Sequence, residues 1–124
     1  MRALRLVALL LALSLMLGEA YRSWGVGRPI YAWLDDQIMG AFLLLGAWLA
    51  KVPSPRNRAI FSAAWAFNAG MLYPSFFQKV FEPQTAQPGN FPLPILTLLI
   101  GIAFSIACFG TLLSFSKIGE NDAR

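Results

Sequence analysis

The sequence predicts an all-α integral membrane protein: an up-and-down bundle of four transmembrane helices, or three if the first segment is a cleaved signal peptide. Three observations predict it. The chain is 57% apolar and 13% charged, with mean hydropathy +0.58, where roughly a quarter charged is usual for soluble domains. Its apolar residues gather into four runs, 3–20, 30–52, 59–77 and 92–115. Each is near the roughly 20 residues a helix of 1.5 Å rise needs to cross about 30 Å of hydrocarbon. The breaks carry turn chemistry, KVPSPRNR with its two prolines and EPQTAQPGNFPLP with its Pro-Gly step.

The first run, MRALRLVALLLALSLMLGEA, reads as a spanning helix whose Ser14-xxx-Gly18 pair suits helix packing. It also has the anatomy of a secretory signal peptide: a basic start, an apolar stretch, and Gly18 and Ala20 around Glu19 as a small-x-small cleavage site. Retention as a helix is the expectation, and the remaining topology is the same either way.

The second run, YAWLDDQIMGAFLLLGAWLA, carries two adjacent carboxylates near its start. The positive end of a helix dipole stabilises carboxylates, and Asp caps free N–H groups, so an interface and capping role is the first expectation for Asp35 and Asp36. Neighbouring helical residues point about 100° apart, so the two cannot grip one ligand together. Steps of three and four from Asp36 reach Gly40, Leu43, Ala47 and Ala50, a small-residue side suited to the bundle interior. Asp35 leads instead to Met39, Phe42 and Gly46. Asp36 is therefore the expected interior residue, with a base from another helix as its partner.

The third run puts Asn68 near the bilayer midplane, where an interhelical hydrogen bond is expected. Phe61, Ala64, Trp65, Leu72 and Ser75 share its face. Ala59, Ala63, Ala66 and Gly70 form the opposite stripe, which would admit a second copy or another membrane protein at close range. Pro74 removes the hydrogen bond to the Gly70 carbonyl and predicts a kink. The fourth run opens at NFPLP, with Asn90 the expected cap and prolines in the tolerated first turn. It carries a Gly101-xxx-Ser105 packing pair and Cys108, expected as a buried structural thiol. Residues 118–124 read as a solvated tail.

Lys and Arg concentrate on the cytoplasmic side of membrane proteins. Arg2, Arg5, Lys51, Arg56, Arg58, Lys117 and Arg124 fall on one side, against Arg22, Arg28 and Lys79 on the other. Both termini are thus expected in the cytoplasm, in a bacterial inner (plasma) membrane. Trp24, Tyr31, Trp33 and Tyr73 would ring the outer boundary, where amphipathic aromatics sit at headgroup depth.

Composition removes several chemistries. With no His and one Cys, imidazole-ligated haem, His-containing zinc sites and Cys-x-x-Cys pairs are excluded, and no metal, cofactor or catalytic set is expected. The net charge of +4 comes from bases beside apolar runs, which fits lipid headgroups and not nucleic acid. A polar site, where one exists, would gather Glu19, Arg28, Asp35, Asp36 and Tyr73 at the outer end, with Asn68 deeper and Arg22 or Lys79 as pairing bases. These residues favour a non-enzymatic accessory or interaction module, with the bilayer as its immediate partner and polar groups that hold the bundle together. The alternative is a small transporter or channel moving a cation or proton-coupled substrate past Asp36, Glu19 and Asn68. The two differ in whether those three line one continuous cavity.

Overall fold

The structure, a computed structural model, describes residues 2–86 and 88–122, with backbone alone at 32, 33 and 117–122. The interface role expected of Trp33 and the charges of Lys117 and Arg124 lie outside what is described. Four helices, α1 (Arg2–Ser23), α2 (Ile30–Leu49), α3 (Pro55–Phe81) and α4 (Leu93–Asp122), and a 3-10 turn at Pro83–Thr85 make up the fold, with no strand among the described residues. Two of the helices, α1 and α4 as far as Ser116, are long and apolar enough to cross a membrane.

Buried residues fall on single stripes. In α1 these are Ala8, Leu11, Ala12, Leu15, Glu19 and Arg22, and in α3 Phe61, Ala64, Trp65, Asn68, Leu72 and Lys79, with Ser62 buried to one side of the α3 stripe. Spacings of three and four put each set on one side of a 3.6-residue helix. Met39, Gly40, Leu43, Gly46 and Ala47 form the buried side of α2.

Successive helices run antiparallel. Near one end Arg5 Nε donates to the Ala47 carbonyl of α2 at 2.9 Å, and further along Gln37 Nε2 donates to the Met16 carbonyl of α1 at 2.9 Å. Small residues set the close approaches: a Cβ on Gly46 would stand 3.1 Å from the Phe61 Cα, one on Gly101 3.1 Å from the Phe76 ring, and one on Gly110 inside the Trp65 indole. The ring of four is uneven, for α4 packs extensively on α3 and only sparsely on α1.

Several local expectations are corrected. Asp35 and Asp36 do not cap α2: Pro29, in extended backbone, occupies the cap position without a side-chain bond, and no acid lies in the first turn. The helix starts at Ile30, so both aspartates fall one turn too late to reach the free N–H groups. Asn90 does not cap α4, which begins three residues later. It clasps the end of α1 instead, its Nδ2 donating to the Tyr21 and Trp24 carbonyls at 2.7 Å each and its backbone N–H to the Arg22 carbonyl at 3.1 Å. Gly89 makes that clasp possible, with φ +63° and the Arg22 carbonyl where a Cβ would sit.

Helix α3 outruns its apolar core at both ends. The Ser54 hydroxyl caps it by accepting from Asn57 N–H at 3.0 Å, and Pro55 occupies its first turn. Helix α4 continues to Asp122, so most of the expected tail is helical. Ser14 and Gly18 do not pack on a neighbour. Ser14 is exposed, and nothing lies within 4 Å of a Cβ built on Gly18. Of the Gly101/Ser105 pair only Gly101 packs, while Ser105 is exposed and donates back to the Gly101 carbonyl. Cys108 is a free, partly buried thiol.

Candidate functional site

Three buried stripes end in charge at the same end of the bundle: Glu19 and Arg22 close that of α1, Lys79 closes that of α3, and Asp36 begins that of α2. Glu19 is 4% exposed, Arg22 9% and Lys79 5%. Antiparallel packing brings these ends together, and the α1–α2 loop adds Arg28.

Glu19 is the hub. Arg28 Nη1 pairs with its Oε1, Arg22 Nη1 lies 3.4 Å from its Oε2, and Ser23 Oγ donates to Oε1 at 3.0 Å. Arg28 Nη1 also donates to Ser23 Oγ at 2.7 Å, closing a small ring of charge-assisted bonds. A carboxylate so buried is tolerable because its lone pairs are occupied and its charge is opposed twice.

Asp36 is half-buried beside this hub, near Glu19 and within the field of Arg22. Its side chain hydrogen-bonds to that of Glu19, and it forms no ion pair of its own among the described residues. Of the two acids expected to pair with Arg22, Arg28 or Lys79, Glu19 takes both arginines, and the base expected opposite Asp36 forms no ion pair with it among the described residues. Arg22 lies one turn from Glu19 on the same helix, and Arg28 folds back onto Glu19 together with Ser23. Lys79 Nζ donates to the Ser75 Oγ at 3.1 Å and carbonyl at 3.3 Å, within electrostatic reach of Arg22, Asp36, Glu19 and Arg28.

The other expected members stand apart. Asp35 is exposed on the outer side of α2. Tyr73 is 58% exposed and packs against the Phe77 and Phe104 rings. Asn68 is fully buried, and its Nδ2 donates to the Met39 carbonyl of α2 at 3.1 Å and to the Ala64 carbonyl at 2.9 Å. It makes the interhelical bond expected of it and takes no part in the charged cluster.

Where α1 and α4 pack sparsely, a groove of about 340 Å³ opens between them. Its walls are apolar, chiefly Val7, Leu11, Ile102, Ala103 and Ile106, and its polar end is built by Glu19, Arg22 and Asp36. Ser14 and Gly18 also line it, which explains why that small-residue pair has no packing partner. Among the described residues no group of three or more His, Cys, Asp or Glu is placed to hold a metal ion. No family model, curated protein or solved structure matches the chain.

Proposed function

We propose that all four helices cross a bilayer, with both termini on the cytoplasmic face of a plasma membrane, and that the protein is a non-enzymatic accessory or interaction module. The observation that carries the module reading is the way the polar groups are spent. Glu19 is occupied by Arg22, Ser23 and Arg28, and the Asn68 amide N–H groups by two carbonyls elsewhere in the core, its Oδ1 being buried without a partner among the described residues. Below its charged end the groove is apolar apart from Ser14, whose hydroxyl bonds back to Leu10. A proton or cation path would need Asp36, Glu19 and Asn68 on one continuous lining, and Asn68 does not line this groove.

Membrane placement is supported by the outward faces. Beyond α1 and α4, helix α2 turns Leu34, Ile38 and Leu45 outward, and α3 exposes Phe67, Tyr73 and Val80. Soluble monomers rarely carry so continuous an apolar surface. Orientation is supported by the cluster itself, since Arg22, Arg28 and Lys79, the only bases of that end, are sequestered with acids. Free positive charge is left at the opposite end, which the positive-inside rule puts in the cytoplasm. The outward stripe of Ala59, Ala63, Ala66 and Gly70 is the face on which we place a second copy or a partner helix.

Single-cysteine labelling in intact cells, in a Cys108→Ala background, tests the topology. An impermeant reagent should label Val26→Cys and spare Val52→Cys, both being exposed positions. Labelling of Val52→Cys overturns the orientation. In proteoliposomes holding a pH-sensitive dye, wild type and Asp36→Asn should leak protons equally. A proton flux lost in Asp36→Asn overturns the module reading.

A further inference from the structure

We infer that the end of the bundle built by the start of α1, the end of α2 and the α2–α3 turn binds anionic phospholipid headgroups through Arg2, Arg5, Lys51, Arg56 and Arg58. This rests on the membrane placement proposed above, which puts that end at headgroup depth. Charge, mounting and the neighbouring surface define the ligand.

The two ends of the bundle use their bases differently. Arg22, Arg28 and Lys79 share theirs with Glu19 and Asp36, whereas no acid pairs with Arg2, Arg5, Lys51, Arg56 or Arg58 among the described residues. Glu19, Asp35, Asp36 and Glu82 lie toward the other end, and in the sequence of the tail Glu120 and Asp122 are balanced by Lys117 and Arg124. Five bases are left unopposed. The turn that carries three of them is fastened: Lys51 and Val52 N–H donate to the Trp48 and Leu49 carbonyls at 3.2 and 3.1 Å, and Asn57 Nδ2 donates to the Val52 carbonyl at 3.0 Å. Arg5 is held at the same level. Its Nε bond to the Ala47 carbonyl leaves both Nη groups without an acceptor among the described residues, and a guanidinium so fixed still offers a fork of N–H donors that suits a phosphate. Bases positioned in advance lose less side-chain freedom on binding.

The surface beside the bases is apolar. Leu6 is exposed one turn beyond Arg2, and Trp48 and Val52, 62% and 65% exposed, flank Lys51. A ligand that matches both surfaces carries phosphate and acyl chains on one molecule. Free phosphate or a nucleic acid would meet the bases and leave these side chains uncovered. A zwitterionic headgroup would bring its own cation against bases that no acid offsets. Anionic leaflets attract basic segments next to membrane spans, and the attraction fades within a Debye length of about 8–10 Å, so only bases held at the headgroup layer feel it.

The test uses the full chain in nonionic maltoside micelles, with phosphatidylglycerol or phosphatidylcholine added and the retained lipid read by native mass spectrometry. Expected is saturable retention of phosphatidylglycerol and little of phosphatidylcholine, weakening as salt rises. Lys51→Gln with Arg56→Gln should weaken it about 25-fold, at about fivefold for each base near a headgroup layer. Thermal unfolding of that variant should match wild type, because both side chains are exposed. Lys51→Arg with Arg56→Lys, which keeps the charge, should bind as wild type does. Equal retention of the two lipids, or phosphatidylglycerol retained unchanged by the Lys51→Gln/Arg56→Gln variant, overturns the inference. Inorganic phosphate that displaces the lipid at equal concentration assigns the bases to a free anion, and a duplex oligonucleotide that does so assigns them to nucleic acid; either result overturns it as well. Failure here with Val26→Cys labelled and Val52→Cys protected defeats this inference alone, whereas Val52→Cys labelling defeats the orientation on its own.

Discussion

Replacing Glu19 by Gln keeps the side chain's shape and removes one charge from the centre of the charged cluster. The Glu19 side chain is 3% exposed and those of its partners Arg22 and Arg28 are 11% and 10% exposed, so solvent screens little of what is lost. Breaking a buried ion pair from one side costs about 3–5 kcal/mol, because the remaining charge stays out of water. The Gln carbonyl still accepts one bond, from Ser23 or Arg28, which returns about 1 kcal/mol. The expected loss is therefore about 2–4 kcal/mol. Adding Arg28→Gln should soften it, the double variant losing less than the sum of the singles by about 0.5–3 kcal/mol. Equilibrium unfolding in detergent micelles measures both quantities. A Glu19→Gln loss under about 0.5 kcal/mol, with additive behaviour in the double variant, would refute the view that Glu19 organises the cluster.

Gly89→Ala should cost about 1–3 kcal/mol, the strain of a left-handed residue, and should open the clasp on α1, read as faster hydrogen exchange at Asn90. Asn68→Leu should lose about 0.6–1.7 kcal/mol, the range of interhelical side-chain bonds in membrane bundles, in the same unfolding assay. Gly18→Ala should gain about 0.5–1 kcal/mol of helix propensity in open space. Gly40→Ala should lose stability, because its Cβ would collide with the Met16 side chain. Asp35→Asn and Asp36→Asn should each stay within about 0.5 kcal/mol of wild type, since neither side chain closes an ion pair among the described residues and an Asn at 36 can still donate to the Glu19 carboxylate; unfolding midpoints compare them directly.

Four helices were legible from apolar runs and turn residues because both signals are local. So was the inward face of α3: counting threes and fours from Asn68 collected Phe61, Ala64, Trp65 and Leu72, all of them buried, and Ser75, which is half-buried. The same count reaches Lys79 eleven residues on, and in α1 it runs from Ala8 to Glu19. Carried past the apolar residues, the helical phase marks both charges as interior. What local signals could not carry was the competition for partners. Asp36 has the inward phase, yet Glu19 takes both guanidinium groups: Arg22 lies one turn away on the same helix, and Arg28 folds back with Ser23 onto that carboxylate although it is one residue nearer Asp36 in sequence. Asn90 had the chemistry of a cap, and its real acceptors lie 66 and 69 residues away. The groove left no mark either, for Ser14 and Gly18 look alike in sequence whether a helix or open space stands opposite.

The ring of bonds around Glu19 closes almost entirely within one stretch of chain, since Arg22, Ser23 and Arg28 all lie within the nine residues that follow it. A nascent hairpin of α1 and its loop can thus neutralise its own acid before α3 and Lys79 have been synthesised. On the membrane placement proposed above, the segment would enter the bilayer with buried charges that already oppose each other, and the desolvation that opposes insertion would be met locally. Only Lys79 and the Gly89–Asn90 clasp must wait for the second half of the chain. The biosynthetic order accordingly runs from a self-balanced hairpin to a fastened bundle, with the α1–α4 gap the last boundary to form.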